Sequence, residues 1–213
     1  MKERIIEIVK AIKPVKVLAD VGCDHGYVTK LAISENKSEK YIISDVSEKC
    51  LNKAKKLLAE EIDGGKVTGV VSDGFKGIEF CDEAVIAGMG GEEIISILTN
   101  SSFHPQTLVL QPMKNSPKLR RFLIENGYKI ITDYTFSCGR KFYDLIVAEI
   151  GEDTLSPEEE EFGRTNIEVR GKAFTDDLKI KIKKLSGYIK RDNISESERE
   201  RLKGIRDRLK NYV

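Results

Sequence analysis

Four short stretches of the chain carry glycines, an acidic residue or both in a way that suits a small polar ligand. The first is Asp20-Val21-Gly22-Cys23-Asp24-His25-Gly26, which follows an apolar, valine-rich run at residues 15–21. A loop leaving the carboxyl end of a buried strand needs glycine if a ligand is to approach its backbone. A dinucleotide fingerprint would carry a second glycine where Asp24 stands, and a carboxylate there repels a pyrophosphate. The same carboxylate is compatible with a sulfonium cation that bears a free amino group. The loop therefore favours S-adenosylmethionine over NAD, with contacts expected from Gly22, Asp24, His25 and Gly26. His25 reads equally well as a side chain that only stabilises the loop.

The second stretch is Ile42-Ile43-Ser44-Asp45-Val46. An acid closing a second strand accepts hydrogen bonds from ribose hydroxyls, so Asp45 and the adjoining Val46 are cofactor candidates. The third, Ser72-Asp73-Gly74, sets a carboxylate beside a glycine where an adenine amino group and ring could sit. The fourth, Ala87-Gly88-Met89-Gly90-Gly91, allows cofactor and substrate to approach closely, and Gly88, Met89 and Gly90 join the cofactor set. Enzymes acting on exocyclic amino groups of bases usually carry an Asn/Asp-Pro-Pro-aromatic stretch here, and this chain does not.

These loops require an alternating scaffold. A short helix over residues 1–14, stopped by Pro14, precedes strand patterns at 15–21, 41–46, 67–71, 84–87 and 107–110. Helical patterns lie between them, at 27–34, after a Ser47 cap, and at 92–98. Ser116-Pro117 reads as a cap and first helical residue, and that helix ends at Gly127. The alternation then breaks. Runs at 128–136 and 141–150 are separated only by Ser137-Cys138-Gly139-Arg140, too short for a crossover helix, so they form an antiparallel hairpin. The expected fold class is α/β: a Rossmann-like, mostly parallel class I methyltransferase sheet finished by an antiparallel hairpin. Ordinary dinucleotide-binding domains lack that finish.

From Gly151 the composition changes. Ser156-Pro157-Glu158-Glu159 opens a helix, and Leu178, Ile182, Leu185 and Ile189 recur at helical spacing. Ser195 and Glu198 form a capping box before Leu202, Ile205 and Leu209. Residues 1–151 are thus expected to form the cofactor-binding domain and residues 152–213 a C-terminal helical hairpin of coiled-coil type.

The chain has 213 residues and a formal net charge of +1, which excludes a generally basic, histone-like binder. No apolar run reaches the roughly 20 residues of a membrane helix, and the N-terminus lacks signal-peptide features. Cys23, Cys50, Cys81 and Cys138 are scattered without a C-x-x-C pair, so neither a disulfide framework nor a metal site is expected. A reducing cytoplasm fits best. The oligomeric state is open, with a monomer among the options.

The four loops, taken with Leu110-Gln111-Pro112, Arg120, Leu123, Glu125-Asn126-Gly127-Tyr128 and Tyr143-Asp144-Leu145-Ile146-Val147-Ala148-Glu149, occur in an order and spacing that resemble the bacterial tRNA (adenine-22-N1)-methyltransferase family. The resemblance covers residues 1–150 closely and the tail in type. It implies S-adenosylmethionine as cofactor, S-adenosylhomocysteine as product, and N1 of an adenosine in the D-arm region of tRNA as acceptor. Asp24, Met89 and Gln111 are then the candidates to act at the reacting atoms. Asp24 either stabilises the cationic product base or contacts the cofactor's amino group. One departure is Met113-Lys114-Asn115-Ser116-Pro117, where the family more often carries small residues and an aromatic.

For the RNA, Lys114, Lys118, Arg120, Arg121, Arg140 and Lys141 are expected to line the rim of the site, and Lys181 and Lys184 to contribute from the tail, whose later half is net basic. Three other readings stand beside this one: a methyltransferase of a small molecule or protein, a non-catalytic RNA-binding module, and a nucleotide-dependent oxidoreductase.

Overall fold

The computed structural model describes residues 2–213; Met1, at the start of the expected first helix, lies outside the described residues. The elements run α1 Lys2–Ala11, β1 Val15–Val21, α2 Tyr27–Ser34, β2 Ser38–Asp45, α3 Glu48–Leu57, α4 Ala59–Asp63, β3 Val67–Val71, β4 Glu83–Met89 and α5 Gly91–Thr99. They continue as β5 Thr107–Pro112, α6 Ser116–Glu125, β6 Tyr128–Cys138, β7 Lys141–Ile150, α7 Pro157–Phe162, α8 Arg164–Val169, α9 Lys172–Ile189 and α10 Glu196–Lys210.

The seven strands form one sheet in the order β3-β2-β1-β4-β5-β7-β6. β1 to β5 pair in parallel, and β7 joins β5 and β6 antiparallel, as the short turn after Cys138 demands. A Rossmann-like methyltransferase sheet is therefore present. Leu18, Val85 and Val109 face one buried layer and Ala19, Ile86 and Leu110 the other. This is the double burial that near-continuous apolar strands predict.

Several local readings need correction. Val46 lies beyond β2, which ends at Asp45 and begins earlier, at Ser38. The cap of α6 is Asn115, in the left-handed region at φ 60°, and Ser116 is already helical. Ser195 caps α10 by accepting from the Glu198 amide, but the Glu198 carboxylate turns to Arg201, so the reciprocal half of the box is missing.

The C-terminal segment is also more than a hairpin. α7 and α8 form a knuckle against the sheet before the hairpin of α9 and α10 begins. The Asp133 amide is tied to Thr165 Oγ1 at 3.0 Å and the Thr135 amide to Asn166 Oδ1 at 2.9 Å. The hairpin closes over a small core of its own, built from Phe162, Phe174, Leu178 and Leu209 with Ile182, Leu185 and Ile205 against them. Leu202 is not among them.

Candidate functional site

The loop after β1 is shaped by left-handed backbone at Gly22 (φ +76°), Asp24 (φ +45°) and Gly26 (φ +74°). An aspartate tolerates that region better than most non-glycine residues. The Gly22 and Cys23 amides both donate to the Ser44 carbonyl, at 2.8 and 2.9 Å, which ties the loop to the end of β2. Asp45 completes the junction: its Oδ2 accepts from the Asp24 amide at 3.1 Å and its Oδ1 from the Ser47 amide at 2.8 Å. Beneath it, Asp20 is buried and accepts from Thr29 Oγ1 at 2.7 Å; burial pushes its carboxyl up to about 6. Burial, together with Asp20 and Asp45, drives the Cys23 thiol far up, which leaves it no role as a nucleophile at neutral pH.

Asp24 carries the charge of the site. Its side chain is more than half exposed, with Oδ2 2.6 Å from His25 Nδ1 and Oδ1 3.7 Å from Lys53 Nζ. Partial burial works against ionisation, but hydrogen bonds from His25 and Cys50 and the His25 and Lys53 charges outweigh it. The carboxyl is held below the usual carboxylate range, so it is an anion at neutral pH. The His25 ring also stacks on Tyr27, with centroids 5.6 Å apart and an interplanar angle of 6°. His25 thus links the carboxylate to an exposed aromatic ring.

Two apolar side chains lie exposed beside Asp45. Val46 follows it, and Val71 is its register partner at the end of β3. An apolar surface flanked by a carboxylate suits a purine ribonucleoside. Gly74 (φ +69°) is buried against Ile97, while Asp73 points to solvent and pairs with Lys76 at 2.9 Å. The donor set at the strand ends therefore fits an adenosyl group. Among the described residues no group of three His, Cys, Asp or Glu is placed to hold a metal ion.

Across from this loop, Met89 bridges β4 to β1. A Cβ on Gly22 would lie 1.8 Å from Met89 Cε, so only glycine lets the methionine rest there. A Cβ on Gly91 would meet the Asn115 carbonyl at 2.6 Å, and the close approach of α5 to the 112–117 loop depends on its absence. Gln111 is fully buried; its Nε2 donates to the Pro112 carbonyl at 3.0 Å and its Oε1 accepts from Arg4 Nη1 at 3.4 Å. Both ends of the amide are thus bonded within the protein.

Arg4, Tyr27, Lys53 and Tyr143 escaped the sequence reading. Arg4 is carried by α1 to the catalytic end, where its guanidinium lies over Gly88 and 5.9 Å from the centre of the Tyr143 ring. The only signal for it is a base set among the apolar residues of the first helix. Tyr27 and Tyr143 supply aromatic surface that the 113–117 loop lacks.

The rim bases divide into three groups. Lys114 lies against Gly90 and, with Lys181 and Lys184, lines a cleft of about 660 Å³ between the end of β5 and the α9–α10 hairpin. Phe142, Tyr143 and Tyr188 line it as well. Arg140 and Lys141 are exposed at the β6–β7 turn, at the same end of the sheet as Pro112. Lys118 is paired with Glu92 at 2.8 Å and Arg121 with Glu160. Arg120 is a correction: it is 1 % exposed, with Nε 2.8 Å from Asp133 Oδ2, and it cannot reach RNA. A cation on an amphipathic helix reads as solvated until its partner, 13 residues away in sequence, is folded beneath it.

Residues 1–146 match the family model described as a methyltransferase domain. A Mycoplasma pneumoniae protein provisionally named a tRNA methyltransferase is 37 % identical over 155 residues, which is 70 % of each chain. The tRNA (adenine(22)-N(1))-methyltransferase of Bacillus subtilis is 26 % identical over 157 residues, 71 % of this chain and 66 % of that one. Among solved structures, a protein from Streptococcus pneumoniae provisionally named a tRNA (m1A22) methyltransferase, in complex with S-adenosyl-L-methionine, has the same fold. Its TM-score is 0.89 at 24 % identity, covering 99 % of this chain and 98 % of that one.

Proposed function

Since this chain belongs to the family of bacterial tRNA methyltransferases that its sequence resembles, we propose that it transfers a methyl group from S-adenosylmethionine to N1 of adenosine 22 in tRNA, leaving S-adenosylhomocysteine. The observation that carries this reading is the position of the Gly88–Gly91 loop. It has the Gly22–Gly26 loop on one side and, on the other, the cleft walled by Lys114, Lys181 and Lys184.

The cofactor supplies a methyl group on a sulfonium cation, and adenine N1, neutral with an in-plane lone pair, accepts it without prior deprotonation. The protein's work is therefore orientation and charge. Asp45, with Asp73 once freed from Lys76, would hold the adenosyl end beside Val46 and Val71, and Gly22, Gly26, Gly74, Gly88 and Gly90 would let backbone come close. Asp24, ionised and held by His25, faces positive charge either on the cofactor or on the methylated base, where a fixed anion lowers the barrier. Met89 packs the floor between the two loops. Holding the reacting atoms in contact supplies much of the acceleration. The pairing edge of the base has to be exposed for this, so the nucleotide is taken out of its stack, and Tyr27 and Tyr143 offer it a surface.

Lys114, Arg140, Lys141 and Lys184 meet the RNA backbone, and Lys118, Arg121 and Lys181, which are paired with Glu92, Glu160 and Asp177, join once those acids are displaced. No described helix is long and apolar enough to cross a membrane. With tRNA as substrate, the enzyme works in the cytoplasm. Incubation with labelled S-adenosylmethionine and unmodified tRNA tests the reading: label enters the RNA. Binding of the cofactor with no transfer to tRNA would turn the assignment to a small-molecule or protein substrate.

A further inference from the structure

The hairpin is the obvious arm for RNA, yet its outer helix is electrically spent. Every base of α10 has an acid beside it: Arg199 with Glu196, Arg201 with Glu198, Lys203 with Glu200, Arg206 and Lys210 with Asp207, and Arg208 with Glu161. Charge without an acid beside it lies on α9, at Lys183 and Lys184, and outside the hairpin on α3. α3 carries four lysines and a single acid, Glu48, in ten residues. Leu51, Ala54 and Leu58 turn one face of this segment into the core, and Lys55 lies over Gly69. Lys49, Asn52, Lys53 and Lys56, at spacings of three and four, share the exposed face and, with Glu48 at its start, line a shallow depression. Lys49 and Lys56 have no acidic partner among the described residues. Lys53 pairs with Asp24, which joins this face to the cofactor loop.

We propose that the exposed face of α3 is a phosphate-binding surface that holds the RNA backbone on the side of the target base opposite the hairpin. This rests on the tRNA methyltransferase reading. α3 connects β2 and β3, at one edge of the sheet, whereas the hairpin follows β6 and β7, at the other, and the loops after β1 and β4 lie between them. Two basic surfaces flanking one reactive centre grip a substrate that extends past it in both directions, as a folded RNA does. Lys49 and Lys56 are roughly 10 Å apart along the helix axis, over which a stacked strand with one phosphate per about 3.4 Å presents about three charges. The Asn52 amide adds a neutral donor between them.

The test is the double variant Lys49→Gln/Lys56→Gln, which leaves the Lys53–Asp24 contact in place. Binding of unmodified tRNA is measured over a range of salt concentrations, with S-adenosylmethionine affinity measured by calorimetry as a check on folding. The expected result is a roughly tenfold or greater loss of tRNA affinity and a fall of about one to two in the slope of log K against log salt, with cofactor affinity unchanged. The α10 variant Lys203→Gln/Lys210→Gln shifts the slope by less than half as much. Wild-type tRNA affinity and slope in the α3 variant, with wild-type enzyme methylating tRNA normally, would overturn the inference alone. Wild-type protein that neither binds nor methylates tRNA would overturn the reading beneath it.

Discussion

Arg120 Nε lies 2.8 Å from Asp133 Oδ2 with both side chains shut away from solvent. The same guanidinium donates to the Glu160 and Glu161 carbonyls at 3.2 and 3.3 Å, and Asp133 Oδ1 accepts from the Thr165 amide at 3.0 Å. One buried pair thus fastens α6, β6, α7 and α8 together and sets where the hairpin begins. Removing Asp133 leaves the buried Arg120 guanidinium with only the partly exposed Asp144, whose Oδ2 is 3.7 Å from Nη2, to balance its charge. Asp133→Ala is expected to cost about 3–5 kcal/mol in chemical unfolding, with early loss of protection in residues 157–169 by hydrogen exchange. A cost under about 1 kcal/mol would contradict this role.

Asp24 separates charge from shape. Asp24→Asn keeps the side chain's size but removes the anion that His25 and Lys53 hold in place. A loss of about 10²-fold in kcat/KM is expected if it opposes developing positive charge; calorimetry with S-adenosylmethionine then shows how much of it is cofactor affinity. Because the wild-type carboxyl is held below its ordinary value by His25, Cys50 and Lys53, its protonation depresses activity only at acid pH, below the usual carboxylate range. A wild-type activity limb near neutral pH that vanishes in Asp24→Asn would contradict this.

How much of this was legible in the sequence depended on how local the cause was. β1, α2 and β3 lie where apolar runs and their glycine or proline boundaries put them, because those signals act within a few residues. α4 and α8, five and six residues long, have no period to read, whereas the start of α7 was legible in its Ser156 cap; α8 is tied to β6 through Thr165 and Asn166. The acids of the cofactor loops were visible because each follows a strand. Arg4 and the burial of Arg120 and Gln111 were not, since their partners are 13 to 107 residues away. The tail looked like the main cationic arm because a sequence counts charges, and only the fold shows which of them neighbouring acids neutralise.

Gly22→Ala probes the contact between β1 and β4. The added methyl meets Met89 Cε on a backbone at φ +76°, and left-handed backbone costs a non-glycine residue roughly 1–2 kcal/mol. Met89 is pushed toward the cofactor's space, so S-adenosylmethionine is expected to bind at least tenfold more weakly, about 1.4 kcal/mol. Unchanged affinity by calorimetry would mean that Met89 does not rest on the loop as described.

Glu83, at the opposite end of the sheet, sets a pH dependence of stability. Burial pushes its carboxyl up to about 7, against the Lys13 backbone and the Lys13 and Lys37 charges, from an ordinary value of 4.5. A raised carboxyl favours the protonated fold. Its contribution is full below about pH 4.5 and is lost as the pH rises through about 7, an order of 3 kcal/mol. The wild type minus Glu83→Gln difference in unfolding free energy is expected to fall between pH 5 and 8. A flat difference would place the titration elsewhere.

The most direct test of the central claim is primer extension on unmodified tRNA after incubation with the enzyme and S-adenosylmethionine, since a methyl on N1 blocks the pairing edge and arrests reverse transcription. A new arrest is expected at adenosine 22, and it disappears when guanosine replaces that adenosine. Label taken up without an arrest there, or an arrest that survives the replacement, would contradict it.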